Sequence, residues 1–442
     1  VVDSILDSII YGAEHDLSGN TRLIFTSGLR SKVFNGVGNI LFGEDQLARN
    51  NKNVTMMGVN NIDEWGLNNL YVGNRLTSNN ASNCLLVGEL NVMDNLNQSI
   101  SSGELNTITN TNNSNLSGKN NTIIDCENVG IFTIGSSVDK ANQILAVGNN
   151  ITIDTNSDSV IAGENINTAN TNNMILSGEG HTSNQSNNSL ITGKDNIETI
   201  GNNNLSSGES NTSKKIDNSI ISGKDNKLED CSKVLIIGES NDISGNSENV
   251  ISSGLLNLIK STVNTFIYGN NNYLKDILNS SVGGQDNDVQ TSADVIVEGN
   301  NNTILNTNRS IISGKNNNES SGTNNIISGK NQISTTISNS SSNGESNNMN
   351  TVFNSNVYGK NNKVKDVYNS SVFGENNDVS QNSTNTLVTG LNNKEYNGNE
   401  NVIFGRLNEI SDSSGVLMGG VNNKLSTGNN SEIMGVSNEI ID

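Results

Sequence analysis

Apolar positions along this chain follow neither a helical stripe nor long alternating strands. They fall in two short clusters that return every fifteen residues. One glycine fixes the register, occupying 29 positions from Gly12 to Gly435 with 28 spacings that average 15.1 residues. Two and three residues before this anchor the side chain is apolar in 22 of 29 coils each, as in Ile221 and Ile220. Five residues after it a large aliphatic side chain stands in 18 coils, such as Leu228 and Val364, and Asn holds the third position after it in 20. Neither cluster is long enough for a helix, and β-branched residues dominate both. The pattern predicts an all-β fold, a parallel β-solenoid of about 29 coils of fifteen residues, with two short strands per coil. At about 4.8 Å per rung such a stack would form an elongated rod on the order of 140 Å long.

The anchor glycine suits a corner with positive φ or a close backbone approach. Asn three residues later suits a left-handed turn, and its amides, stacked coil upon coil, would form a ladder. The first cluster carries a further consequence. Its two consecutive apolar positions point to opposite faces of a strand. One fills the coil, and the other forms an exposed apolar stripe that further chains should cover, most simply in a rotationally symmetric homo-oligomer.

Composition narrows the classes. The chain has 442 residues, 43 Gly and no Pro, as expected where nearly every backbone amide belongs to a ladder. A net charge of −20 argues against nucleic-acid partners. No apolar run approaches a membrane span, so no direct membrane insertion is expected. The opening VVDSILDSIIYG lacks a basic leader and reads as a mature segment or a fragment. The whole of 1–442 reads as one continuous repeat domain. Three of the spacings are sixteen, and the main register irregularity lies between Gly118 and Gly148, where spacings of 17 and 13 predict a displaced turn able to present a loop.

The segments NSIISG (Asn218 to Gly223), NSLITG (Asn188 to Gly193), DSVIAG (Asp158 to Gly163) and NSSVFG (Asn369 to Gly374) resemble the repeat of YadA-like trimeric autotransporter adhesin heads. The likeness covers essentially the whole chain. It implies a left-handed β-roll, a homotrimer, a bacterial outer-surface location, and adhesion to host matrix, host receptors or other cells. Asn replaces the family's Ala and Ser in the second half-coil, and Ser often stands where the family prefers Ile before the glycine.

Candidate chemistry is sparse. His15 and His181 both hold the slot three after an anchor and lie eleven coils apart, so they share no triad or metal and read as turn residues. Cys84, Cys126 and Cys231 are too far apart for a bridge and read as solitary thiols. Asp and Glu are dispersed, without the local cluster of acids and aromatics that would suggest a sugar subsite or paired-acid catalysis. Glu179, Lys194, Glu209, Lys224 and Glu239 alternate in five successive coils and read as a surface charge ladder. Sequons such as Asn53-Val54-Thr55 follow from the Asn-rich composition. Trp65, beside Glu64 and Tyr71, reads as capping the apolar edge of its rung, with an exposed contact as the alternative. No catalytic, metal or cofactor residue is assigned, no individual binding residue is singled out, and Thr is too scattered for an ice-binding face. The expected function is a non-catalytic extracellular adhesin head. The partners expected are copies of itself and a cell-surface protein or glycan. The alternative is a structural subunit of an extracellular filament or sheath.

Overall fold

The structure is a computed structural model describing residues 2–441 except 325, 332, 340, 347, 355, 370, 381, 382 and 397. It forms two compact units, Val1–Ile220 and Ile221–Asp442. Among the described residues there is no helix, and the strands pair in parallel. In each unit a strand pairs with its counterpart one coil away in plain register: Leu70–Asn74 with Leu85–Glu89, and Ile251–Leu255 with Phe266–Asn270. Each unit is therefore a parallel β-solenoid, as the fifteen-residue period predicts.

The coil following Gly163 shows how the residues close one turn. Val160 to Glu164 form the end of one strand, Asn167–Ala169 form a second, and Asn172 begins a third short paired segment that the sequence pattern did not signal. Between these sides stand Asn165, Asn170 and Asn173, with φ of 53°, 52° and 51°. Those are left-handed corner conformations that Asn accepts more readily than most residues. Immediately after each corner a side chain turns inward: Ile166, Thr171 and Met174 are all buried. The section is three-sided, with its core inside.

Two expectations about the corner are corrected. The anchor glycine lies within a strand, not at a turn, and its reason is close approach. A Cβ built on Gly163 (φ +150°) would overlap the carbonyl oxygen of Gly148 and stand 2.8 Å from that carbonyl carbon. Asn three residues after the anchor is not the left-handed residue either, because that dihedral sits one position earlier. The Asn is buried, and its predicted amide ladder is present. In the second unit, Asn226 to Asn317 stack through Nδ2–H donating to the next Oδ1 at 2.7 to 3.0 Å. In the first unit, over 46–121, the same Oδ1 accepts a main-chain N–H from the neighbouring coil, as in Gln46 N to Asn61 at 2.8 Å.

Such a ladder satisfies buried amides only while every rung supplies its partner. We therefore expect Asn272→Leu to leave Asn257 and Asn287 each short of a bond, costing roughly 1–3 kcal/mol. Urea denaturation compared with a control at an exposed Asn outside the left-handed corners, such as Asn318→Leu, checks this.

The irregularity expected between Gly118 and Gly148 is also corrected. Gly118 pairs with Thr133, and Thr133 with Gly148, at an unbroken fifteen-residue step. Thr133 holds the anchor slot with its side chain buried, while Gly135 (φ 66°) is the next corner residue. No turn is displaced and no loop is presented there. In two of the sixteen-residue coils the extra residue enters between the second strand and the third paired segment, near Gly19 and Gly245, both at positive φ.

Candidate binding surfaces

The position two before each anchor points into the coil and the position three before points out, as expected. Ile161, Ile221 and Val297 are fully buried, whereas Val160, Ile220 and Ile296 are 44, 45 and 41% exposed. In the first unit the outward column runs through Leu145, Val160, Ile175, Leu190, Leu205 and Ile220 without a polar break. In the second it runs from Leu235 through Ile251 to Phe266, breaks at Ser281, and resumes at Ile296, Ile311 and Ile326. Isolated exposed apolar residues are ordinary, but a contiguous column one rung apart is not. Beside it, one residue after the anchors, charges keep the edge in water. Lys119 reaches Glu104 at 3.7 Å and Lys194 reaches Glu179 at 3.9 Å, all four exposed, so each pair contributes only a fraction of a kcal/mol.

The singled-out residues are not brought together. His181 is buried among the ladder positions and is not a turn residue, and desolvation lowers its pKa. The three cysteines are buried and joined in no disulfide, and burial raises the thiol of Cys84 to about 11 and that of Cys126 above its usual value. Trp65 does not cap its rung. It occupies a corner with φ 62° and is 59% exposed, while neighbouring Tyr71 points inward and is buried. Among the described residues no group of three His, Cys, Asp or Glu is arranged to hold a metal ion.

The sequence reading missed a set of buried carboxylates. Asp63, Glu198, Glu319 and Glu395 stand in the slot five after the anchor, where an aliphatic side chain is usual, and all are at most 2% exposed. Asp63 accepts from Tyr71 Oη and from Asn69 Nδ2 (3.2 Å), Glu198 from Asn204 Nδ2 and Ser186 Oγ (3.3 Å), and Glu395 from Thr386 Oγ1 (2.7 Å). Desolvation holds Asp63 up at about 6 and Glu198 and Glu395 at about 7. The signal was in the sequence as acid-x-x-Gly-x-x-Asn: Asp63, Gly66, Asn69; Glu198, Gly201, Asn204; Glu319, Gly322, Asn325; Glu395, Gly398, Asn401. The glycine makes room for the acid. A Cβ on Gly66 or Gly398 would overlap the carboxylate three residues earlier, and one on Gly201 would come 2.7 Å from Glu198 Oε1. Buried singly in separate coils, these acids face no substrate-sized cleft and act as internal hydrogen-bond centres.

Aromatic neighbours were also missed, because fifteen residues of sequence separate them. Phe353 stacks on Tyr368 with ring centroids 4.8 Å apart, and Tyr358 on Phe373 at 5.3 Å.

No known protein family matches this sequence, and no curated protein does. Among solved structures it is similar to a PL6 family alginate lyase, AlyGC, at 8% identity and a TM-score of 0.16, covering 96% of this chain and 97% of that one. It is similar to PfbA, a surface adhesin of Streptococcus pneumoniae, at 10% identity and a TM-score of 0.11, covering 69% and 84%. It is similar to the receptor-binding tailspike of bacteriophage Det7 at 9% identity and a TM-score of 0.15, covering 69% and 70%.

Proposed function

We propose that this chain is a non-catalytic extracellular binding protein of the bacterial surface, whose apolar column is covered by two further copies of itself in a trimer of the YadA-like head type. One observation carries the reading: the aliphatic column from Leu145 to Ile220, contiguous on the outward face and roughly half exposed. Covering it with identical columns from sister chains removes that surface from water without requiring a different partner. Each side chain so covered contributes on the order of 1 kcal/mol, repeated at every rung. The number three and the surface location rest on the likeness of segments such as Asn218 to Gly223 to that family's repeat. Many identical rungs then let weak individual contacts add through effective concentration.

Sedimentation velocity tests the reading. We expect the chain to sediment as a trimer at micromolar concentration. The triple variant Ile175→Ser, Leu190→Ser and Leu205→Ser should dissociate toward monomer while keeping its β circular-dichroism spectrum. A wild-type chain that sediments as a folded monomer overturns it.

A further inference from the structure

We propose that a notch in the second unit, built on Phe266, Tyr268, Gly283 and Glu298, is a binding site for an uncharged glycan. At the rung anchored by Gly284, both outward positions of the first strand lose their bulk: Ser281 pairs with Phe266 on one side and Ile296 on the other, and Gly283 with Tyr268 and Glu298. The gap is an open cavity of about 580 Å³. The Tyr268 ring leans into it. A Cβ on Gly283 would lie 3.1 Å from Tyr268 Cδ2 and 3.6 Å from Cε2, so only a glycine lets the ring settle over the strand. Tyr268 is nevertheless 61% exposed and Phe266 53%. Part of the aromatic surface at the gap is therefore open to solvent.

The polar groups around the rings set the ligand class. One residue after the anchors, Asn270, Gln285 and Asn300 form a row of side-chain amides one rung apart, and Glu298 closes the far wall. An apolar aromatic surface takes the C–H face of a pyranose, and amides and a carboxylate exchange hydrogen bonds with its hydroxyls. No Lys or Arg lines the notch, and Glu298 repels anions, so sulfated and sialylated glycans are excluded. The sequence shows no local cluster of acids and aromatics, but Tyr268 and Glu298 are two rungs apart and the winding brings them to one cavity. Within the same unit the amide row runs on, one rung at a time, to Lys315 and Lys330. Phe266 belongs to the outward column, so the wall it forms is open only where that column is left uncovered, whereas Tyr268, Gly283 and Glu298 stand two positions further along the strand.

The test is saturation-transfer NMR, followed by calorimetric titration, of the full chain with neutral hexasaccharides. The probes are cello-, malto- and N-acetylchitohexaose, with sialyllactose and a heparin hexasaccharide as charged controls. At least one neutral probe should bind at millimolar concentration or below, and the charged controls should not. Tyr268→Ala should weaken that binding about tenfold or more. Gly283→Leu, which fills the notch and pushes the Tyr268 ring off the strand, should abolish it. Gly283 does not have the left-handed φ of the anchors, so this variant should keep the wild-type circular-dichroism spectrum. Absence of binding by all neutral probes overturns the proposal, as does binding that survives both substitutions in folded protein.

Discussion

Gly163→Ala should cost about 3 kcal/mol or more of the first unit's stability, while Gly390→Ala in the second should cost about 1 kcal/mol or less. Both are anchor glycines in the same register, so a sequence pattern treats them alike. The backbone does not. At Gly163 φ is +150°, and an added methyl would overlap the carbonyl oxygen of Gly148. That oxygen is backbone inside a ladder and cannot rotate away. At Gly390 nothing lies within 4 Å of the position a Cβ would take. The difference has a local origin. In the coils anchored by Gly374, Gly390, Gly405 and Gly420 the positive dihedral moves one residue along the chain, to Glu375 (φ 94°), Leu391 (108°), Arg406 (125°) and Val421 (115°). The strain that glycine absorbs elsewhere is there carried by residues with a side chain, at a cost of order 1–3 kcal/mol each. Leu391→Gly should accordingly stabilise its coil. Equilibrium urea unfolding of the three variants checks this. Because each rung contacts only its neighbours, hydrogen exchange should place the Gly163→Ala loss in the adjacent coils. Equal losses for Gly163→Ala and Gly390→Ala would contradict the argument.

Much of the architecture was legible because a solenoid writes its period directly into the chain. Glycine at one slot, an inward aliphatic two residues before it and an outward one three before it gave the strand, its register and its exposed column. Illegible were the features that depend on residues near in space and distant in sequence. The sequence pattern placed the left-handed corner on the buried Asn, whereas φ marks the residue before it, as at Asn165 before Ile166. Fifteen-residue counting on glycines alone turned Thr133 into a slip, because the slot is defined by pairing and not by residue type. The acids in the aliphatic slot looked dispersed until Gly66, Gly201 and Gly398 were seen to make room for them. Phe353 with Tyr368, and Tyr268 with Glu298, become neighbours only after the chain has wound once or twice.

The buried acids make stability depend on pH in a direction opposite to ordinary acid denaturation. Glu198 and Glu395 ionise at about 7 in the folded chain against an ordinary 4.5, and Asp63 at about 6 against 3.8, in each case because burial disfavours the charge. Below about pH 3 all three are neutral in both states, and their hydrogen bonds are kept. As pH rises past the unfolded values the unfolded chain releases protons that the folded chain retains, so the unfolded state gains. The loss is complete once the folded values are passed, near pH 7. Each buried Glu then costs on the order of 3 kcal/mol relative to its neutral form. His181, with its folded pKa lowered, acts the other way, destabilising as pH falls below its unfolded value of 6.5. The growing negative charge of an acidic chain also weakens it as pH rises. Replacement separates that global term from the local one. Glu198→Gln keeps a neutral side chain of the same shape beside Ser186, so it should match wild type near pH 4 and exceed it near pH 8 by on the order of 3 kcal/mol. Glu395→Gln should do the same in the second unit, beside Thr386. Denaturant midpoints across that range decide the matter. Variants that stay parallel to wild type at every pH would show that Glu198 and Glu395 are ionised within the core at neutral pH.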